Sequence, residues 1–563
     1  MDKTFTTRQS CRDILIIFIL FSAFLGLYSF RWFHGLYGGD YVTAAERVLS
    51  GQVPYRDFWT MYAPGSFYLL ALLYKIFGTH IMVGTIAASV ICAGAACVCY
   101  RLAANLTGRE IPGLICAGIF FAASYSTHYC ITPGPYPATI LLALTALNLF
   151  QHYNKSGSEK QLFAAGIATG ATIIFKHDVG GYTGLAIAAG LITSHLLQNT
   201  DPGKGILQLS KKLVLYSAGA ALPVVPVAVY FALLAGPDIW QDLIVFPATE
   251  FRHARPENYP GLWPDGIYHE WRLKMLFNFL NYLKFTIPFA IFLATIVALG
   301  VAAAKQRYEH LASGITFAVA FLLHYSSAHI QVNTNIISMS LYAALLGTLL
   351  YRLISQAPWP GRTAWFNALA SVFATGWILV LFMQPVYDQL NLRDQATSEI
   401  ELPKVSGIKV PPEQQKTLRE LYEFTSTNVP PDRKIFIGLH RHDASVIGDS
   451  LTYFVLDRLN ATRNDQLHPG VIDRQSTQRQ IIRDLETGDI DLILTKQIFS
   501  DKIINRAKQR LTMNLDNSGA TVLDDYIRGN FTETRTIGQY TVWRREHGRQ
   551  DPGSTSPSPA TVR

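Results

Sequence analysis

The segment GGDYVTAAERVLSGQVPYRDFWTMYAPGSFYLLALLYKIFG (residues 38–78) decides how this chain is organised. It stands between two long apolar stretches, and it contains acidic residues, arginines and a row of aromatic residues. Connections between neighbouring helices are usually short, whereas this one, with its flanks, covers residues 31–80. We therefore interpret it as a working surface at the face of a membrane.

The beginning of this loop has the period of an amphipathic helix. Apolar residues recur at helical spacing through Tyr41, Ala44, Ala45, Val48 and Leu49. This spacing predicts an interfacial helix of about three turns. Asp40 stands at its predicted N-cap and Gly51 follows its end, which are the residue types favoured at those positions. Spacing alone favours capping over catalysis as the role of Asp40.

The second half of the loop is suited to the membrane interface. Its PYRDFW stretch carries Tyr55, Phe58 and Trp59, and aromatic side chains of this kind concentrate at the headgroup level. Residues 66–77 are apolar but too short to span a bilayer, so they predict a second interfacial or re-entrant helix. Arg56 and Asp57, taken alone, indicate a solvated surface pair.

The composition of the whole chain indicates a multi-pass membrane protein. Of 563 residues, 49% are hydrophobic and only 16% are charged, well below the roughly 25% of a globular protein. Apolar stretches long enough to cross a bilayer recur through residues 1–386, which we predict to form a transmembrane module. The predicted spans, about eleven, are 13–31, 81–101, 111–129, 135–153, 161–178, 179–198, 213–235, 279–303, 313–330, 335–354 and 364–385.

Basic residues set the predicted orientation. Lysines and arginines recur in the N-terminal segment and in every second loop, which lie on one side of the membrane. The positive-inside rule places that side in the cytoplasm. The loops 31–80 and 236–278 and everything after about residue 387 then lie outside. The net charge of +8 comes mainly from residues at the membrane edge, so we expect contact with membrane lipids and no nucleic acid.

The C-terminal region predicts a small extracytoplasmic α/β domain over residues 387–545. Short apolar runs, KIFIGL (434–439) and DLILT (491–495), indicate buried strands. The tail, residues 546–563, is polar and predicts disorder. Helical patterns lie near residues 412–427, 473–486 and 498–511.

A polar cluster closes the fifth predicted span. Lys176, His177 and Asp178 follow one another at its outer end, where charges are costly unless they are paired or face water. One interpretation is a substrate site in which Lys176 contacts a phosphate. The other is a helix end whose charges extend into the headgroup layer.

The loop after the seventh span contains a second basic group, Arg252, His253 and Arg255. Arginine offers planar, bidentate donors that suit a phosphate leaving group. Attraction to anionic lipid headgroups would select the same residues. Both interpretations stay open.

The first loop resembles a known family. Asp40 just outside the first span, followed by PYRDFW and then by Pro64-Gly65, is similar to the integral-membrane GT-C glycosyltransferases. The nearest branch is the bacterial one related to protein O-mannosyltransferases and lipid A aminoarabinose transferases. The resemblance is strongest over residues 38–80, and YFVLDRLNATRNDQLHPG (453–470) also looks like the C-terminal domain of some members.

The resemblance implies a reaction. A hexose or pentose on a polyprenyl phosphate would be transferred, with inversion, to a hydroxyl of an envelope lipid, glycan or protein outside a bacterial plasma (inner) membrane. Asp40 matches the family's general base, with Asp57 in reserve and Arg56 beside it in the substrate site. Many members have Asp-Glu where this chain has Asp40-Tyr41, so the donor and any divalent cation stay open.

Other function classes find less support in the sequence. It contains no GxxxxGK[ST] loop and no HExxH, which argues against an ATP-driven pump and a metalloprotease, and we predict no metal site. Two rivals remain. A transporter or flippase of a lipid-linked saccharide would more often carry ionisable residues at mid-membrane, and a non-catalytic envelope scaffold could keep the same layout.

Overall fold

The computed structural model describes residues 7–30, 39–126, 132–198, 202–254, 272–308, 310–327, 332–355, 363–443, 448–497 and 518–545. Its first part is helical. The helices are α1 (Thr7–Ser29), α2 (Gly39–Leu49), α3 (Gly65–Phe77), α4 (Ile81–Thr107), α5 (Glu110–Ser126), α6 (Tyr136–Ser156), α7 (Glu159–Phe175), α8 (His177–Gln198), α9 (Pro202–Ala235), α10 (Asp238–Trp240), α11 (Phe246–Ala254), α12 (Arg272–Ala304), α13 (Leu311–Ser326), α14 (Val332–Ser355) and α15 (Thr363–Gln395).

Each predicted span coincides with one of these helices. Within the described residues, five helices are long and apolar enough to cross a membrane by length and composition alone. They are Ile81–Thr107, His177–Leu197, Gly205–Ala235, Tyr282–Ala304 and Asn335–Ser355. The others are shorter or less apolar, so the total of eleven crossings stays a prediction.

Small residues let the helices of the bundle approach closely. Helices α7 and α9 pack most extensively, and Gly166 and Gly219 lie at their contact. A β-carbon at either glycine would collide with the backbone of the opposite helix. Small residues at such positions are typical of helix packing in membranes, where association depends on close van der Waals contact.

The first loop contains the two helices that its sequence predicted. Helix α2 begins at Gly39, so Asp40 is its second residue rather than its N-cap. Helix α3 covers Gly65–Phe77, and a β-carbon at Gly65 would lie only 2.9 Å from the carbonyl oxygen of Ile174. The start of α3 is therefore seated against the end of α7.

The C-terminal part of the chain forms a sheet covered by helices. The strands are β1 (Ser398–Glu399), β2 (Lys409–Val410), β3 (Phe436–Leu439), β4 (Leu492–Lys496), β5 (Phe531–Ile537) and β6 (Tyr540–Arg545). The predicted runs at 434–439 and 491–495 contain β3 and β4, which pair in parallel. Strands β6 and β5 continue the sheet as antiparallel strands, in the order β3-β4-β6-β5. The helices are α16 (Pro412–Asn428), α17 (Leu451–Val455), α18 (Gln475–Thr487) and α19 (Val522–Asn530).

The predicted helices near 412–427 and 473–486 are present as α16 and α18. The predicted helix at 498–511 and the predicted disordered tail, 546–563, lie outside the described residues.

The sheet domain packs directly on the first loop. Leu451, Phe454 and Val455 of α17 join Val42 and Ala45 of α2 in one buried apolar cluster. Burial of such side chains stabilises the contact by about 25 cal/mol for each Å² of apolar surface removed from water. The working surface predicted from residues 38–78 is therefore covered by the C-terminal domain rather than open over its whole area.

Candidate active site

Asp40 lies at the junction of α2 and α17. Its Oδ1 accepts a hydrogen bond from Ser450 Oγ, and Thr43 Oγ1 donates to the carbonyl oxygen of Ser450 at 2.8 Å. None of the described residues donates to the second oxygen of Asp40, and the side chain is half-buried. The carboxyl is thus held at one oxygen while the other is able to accept a proton.

The environment of Asp40 raises its pKa toward neutrality. Packing of the surrounding chain desolvates the carboxyl and raises the pKa of Asp40 to about 7. The hydrogen bond from Ser450 acts in the opposite direction, and the negative charges of Asp465 and Asp449 add to the rise. A base whose pKa lies near the working pH combines a useful ionised fraction with a strong tendency to take a proton.

Arg47 joins the same helix to the C-terminal domain. It is 2% exposed and its guanidinium forms an ion pair with Asp465. It also donates to the carbonyl oxygens of Thr462 at 3.1 Å and of Asp57 at 2.9 Å. A buried guanidinium needs this degree of pairing, because an unpaired charge in the interior costs several kcal/mol. Arg47 therefore fixes the orientation of α2 and of Asp40 on it.

Arg56 and Asp57 are bound to each other. The guanidinium donates to both carboxylate oxygens, from Nε at 2.9 Å and from Nη2 at 2.7 Å, and Asp57 also accepts from the backbone N–H of Val53 at 2.7 Å. The hydrogen bonds from Arg56 lower the pKa of Asp57 despite its partial burial. Asp57 is therefore a weaker base than Asp40 and shapes the turn that follows α2.

The predicted cluster at the end of the fifth span forms an ion pair. Lys176 Nζ lies 2.5 Å from Asp178 Oδ2, and Asp178 Oδ1 accepts from the N–H of Val179 at 2.8 Å in the first turn of α8. The Nδ1 atom of His177 has no hydrogen-bond partner within the described part of the chain. Lys176 Nζ also lies 5.6 Å from the centre of the Tyr136 ring.

This cluster and the helix of Asp40 flank the same short turn. A β-carbon at Gly134 would lie 3.6 Å from the ring of Tyr41, which follows Asp40 directly. Tyr136, whose ring contacts Lys176, is two residues farther along that turn. Lys176 is therefore connected to α2 through Tyr136 and the turn that carries Gly134.

The loop after the seventh span is joined to both the first loop and the C-terminal domain. Trp59 meets the ring of Phe246 edge-on with centroids 5.2 Å apart, and Arg463 Nη2 donates to Asp242 Oδ2 at 2.9 Å. Burial raises the pKa of Asp242 to about 7, although the charge of Arg463 opposes the rise.

The same loop contains the predicted phosphate contacts Arg252, His253 and Arg255. Arg252 and His253 lie on α11, which begins at Phe246 in this same junction, but their side chains are outside the described structure. Arg255 lies entirely outside the described residues.

Three residues of the junction escaped the sequence prediction, namely Ser450, Arg463 and Asp465. They follow no local period, and their partners are hundreds of positions away. The one sequence feature that could have indicated them was the resemblance of residues 453–470 to the C-terminal domain of GT-C proteins, which covers Arg463 and Asp465 without assigning them a role.

Among the described residues, no three His, Cys, Asp or Glu side chains are grouped so as to hold a metal ion.

Two crystal structures of ArnT from Cupriavidus metallidurans align with almost the whole chain. The one bound to undecaprenyl phosphate has a TM-score of 0.52 and 12% identity, and the alignment covers 94% of this chain and 97% of ArnT. The apo structure has a TM-score of 0.51 and 12% identity, covering 95% and 98% of the two chains. The fold is ArnT-like. No family model and no curated protein sequence matches the chain.

The ArnT-like fold confirms the predicted fold class in outline, a multi-pass helical membrane protein with a C-terminal sheet domain. The alignment with ArnT extends over the C-terminal domain as well as the helical bundle.

Proposed function

We propose that this protein is a glycosyltransferase that moves a sugar from a polyprenyl-phosphate donor to a hydroxyl of a cell-envelope lipid, glycan or protein. The observation that carries the proposal is the half-buried carboxyl of Asp40, with a pKa of about 7, at the junction of the first loop and the C-terminal domain of an ArnT-like fold. Transfer would occur on the extracytoplasmic side of a bacterial inner membrane.

Asp40 acts in this proposal as the general base. Its carboxylate takes the proton of the acceptor hydroxyl while that oxygen bonds to the anomeric carbon of the sugar. The bond between the anomeric carbon and the phosphate oxygen breaks, and polyprenyl phosphate leaves with the bonding electrons. Attack opposite to the leaving group inverts the configuration of the sugar. Ser450 positions the carboxylate, and Arg47 positions the helix that carries it.

The leaving phosphate requires cationic partners. Lys176 is the candidate with a described position, close to the turn that packs on Tyr41. Arg252, His253 and Arg255 complete the proposed donor side, with Asp178 and His177 positioning Lys176. Positive charges placed where negative charge develops stabilise the transition state. The ArnT structure with undecaprenyl phosphate supports a lipid-phosphate donor for this fold.

The flippase remains the second candidate, and a scaffold the third. A specific feature favours the enzyme over both, because a carboxyl with a pKa near neutrality, fixed at one oxygen, suits proton transfer better than passive passage or binding. Asp57, paired with Arg56, stays in reserve as a base.

The test is a transfer assay on the full chain in lipid nanodiscs, with a synthetic polyprenyl-phosphate sugar and isolated envelope acceptors. Asp40→Asn keeps an oxygen that accepts from Ser450, so folding should hardly change, whereas transfer should fall by about 10²–10⁴ because the base is lost. Asp57→Asn is the matched control and should have a milder effect. Full transfer by a folded Asp40→Asn protein would refute the assignment of the base, and translocation of the lipid-linked sugar in vesicles without transfer would support the flippase.

A further inference from the structure

A crevice opens in the C-terminal domain beside the junction. It lies between α16, α17, the end of β4 and the turn between β5 and β6, and has a volume of about 430 Å³. Sites for small molecules measure roughly 300–1,000 Å³. Among its lining residues are Gln414, Asp449, Leu451, Lys496, Gln539 and Tyr540.

The crevice contains a carboxylate with unused bonding capacity. Asp449 Oδ2 accepts from Thr452 Oγ1 at 2.8 Å and from Tyr540 OH at 2.7 Å, and it is paired with Lys496. Its Oδ1 is buried and, within the described residues, has no hydrogen-bond partner. The side chain is only 6% exposed. A buried carboxylate oxygen without a donor costs free energy.

The groups around Asp449 are held in fixed positions. Tyr540 OH and Thr452 Oγ1 lie 2.9 Å apart as they donate to the same carboxylate oxygen, and Lys496 Nζ lies 5.1 Å from the centre of the Tyr540 ring. The turn between β5 and β6 closes one side, because Gly538 packs directly against Thr417 of α16. Rigid polar groups of this kind bind a ligand without a large loss of conformational entropy.

The chemistry of the crevice fits a neutral, hydroxyl-rich molecule. Asp449 accepts hydroxyl hydrogens, and Lys496 offers donors to hydroxyl oxygens. Gln414 and Gln539 can do both. Leu418 and Leu451 provide an apolar wall for the C–H face of a sugar ring. A phosphate would be disfavoured, since Asp449 and Glu413 present negative charge to it.

The crevice shares a wall with the candidate active site. Leu451 lines it and also contacts α2, where a β-carbon at Gly39 would lie 2.9 Å from the Leu451 backbone nitrogen. Ser450, which holds Asp40, stands between Leu451 and Asp449 in the chain. We infer that this crevice binds a saccharide portion of the acceptor and so presents the acceptor to the region of Asp40. The inference rests on the proposed function.

The experiment measures saccharide binding separately from transfer. Saturation-transfer NMR on the full chain in nanodiscs, without donor, should detect binding of at least one of glucose, galactose, mannose and N-acetylglucosamine. Gln414→Trp fills the crevice from α16 and should abolish that signal. Lys416→Trp, at an exposed position of the same helix that does not line the crevice, is the matched control and should keep it. Asp449→Asn should weaken binding about tenfold, through loss of a hydrogen bond to a charged acceptor.

Transfer kinetics then identify the ligand as the acceptor. Gln414→Trp should raise the KM for the acceptor about tenfold or more and leave the KM for the lipid-linked donor unchanged. Absence of any binding signal, or equal signals from the two tryptophan variants, would overturn the inference even if transfer is observed. A saccharide signal that depends on Gln414, in a protein without transfer activity, would instead overturn the assignment as acceptor site and the proposed function together.

Discussion

Ser450 and Asp40 form a hydrogen bond although 410 residues separate them in the sequence. The serine belongs to the segment that begins α17, and the aspartate to the first turn of α2. Thr43 completes the contact by donating to the carbonyl oxygen of the same serine. The position and the acidity of the candidate base are therefore set by the domain at the other end of the chain.

The pH dependence of transfer should follow the ionisation of Asp40. A general base acts only when ionised, so kcat/KM should fall about tenfold for each pH unit below the pKa of about 7 and level off above it. A pH profile of kcat/KM tests this, and a profile that is flat between pH 5 and pH 8 would contradict it. The residual activity of Asp40→Asn should lack this acidic limb.

Stability should change with pH in the opposite direction. The folded-state pKa of Asp40 exceeds its ordinary value of 3.8, so the protonated carboxyl favours the folded state. This contribution is complete below about pH 4 and is lost as the pH rises through about 7. The unfolding temperature of Asp40→Asn should consequently depend less on pH over that interval than that of the unmodified protein.

Removal of the Ser450 hydroxyl should move the acidic limb. The hydrogen bond from Ser450 lowers the pKa of Asp40, so Ser450→Ala should shift the limb of the pH profile upward, by roughly one pH unit for a bond of this kind. Activity at high pH should be largely retained. Ser476→Ala, at an exposed position of α18, is the control, and an unshifted limb in Ser450→Ala would show that the bond has no part in setting the pKa.

The ion pair of Arg463 and Asp242 should stabilise the junction measurably. Their side chains are 20% and 7% exposed, and loss of the arginine leaves a buried carboxylate without its partner. We expect Arg463→Ala to lower the free energy of unfolding by roughly 1–3 kcal/mol. Arg419→Ala breaks an exposed pair with Glu423 and should cost clearly less, because solvent screens exposed ion pairs. Thermal unfolding in nanodiscs compares the two, and equal losses would contradict the prediction.

Lys176 should contribute to donor binding. If its ammonium contacts the donor phosphate, Lys176→Gln should raise the KM for the lipid-linked donor about tenfold, the loss expected for one hydrogen bond between charged groups. The KM for the acceptor should stay unchanged. Lys160→Gln alters an exposed lysine at the other end of α7 and serves as the control. A rise confined to the KM for the acceptor would contradict the prediction that Lys176 binds the donor.

The orientation can be tested by cysteine labelling in intact cells. The alternation of basic residues predicts that Ser476 lies outside and Lys160 inside, and both positions are exposed. A membrane-impermeant reagent should therefore label Ser476→Cys before lysis and Lys160→Cys only after it. The reverse pattern would refute the predicted eleven-span topology.

Sequence patterns predicted local structure well and long-range contacts poorly. The period through Tyr41 and Val48 predicted α2, and the run KIFIGL predicted the strand that contains Phe436, because apolar spacing reports directly on which face is buried. For Asp40, spacing alone favoured a helix cap, whereas the family resemblance favoured a general base. Asp40 bonds Ser450, because tertiary contact supplied a partner that no neighbouring residue reveals.

The pairing of Arg47 with Asp465 illustrates the same limit. Nothing around Arg47 in the sequence distinguishes it from a solvated residue on the polar face of an interfacial helix. Its burial depends on a domain that begins hundreds of residues later. The resemblance to GT-C proteins predicted that such a domain exists, but not which of its side chains meets the first loop.

The bond between Asp40 and Ser450 also has a consequence for biosynthesis. Translation proceeds from the N-terminus, so the loop that carries Asp40 leaves the ribosome long before residue 450 exists. A polypeptide that ends just before residue 450 contains every helix from α1 to α15. It still lacks Ser450, which donates the hydrogen bond to Asp40. The earliest part of the chain thus acquires its final chemistry only after the last part has been made and folded.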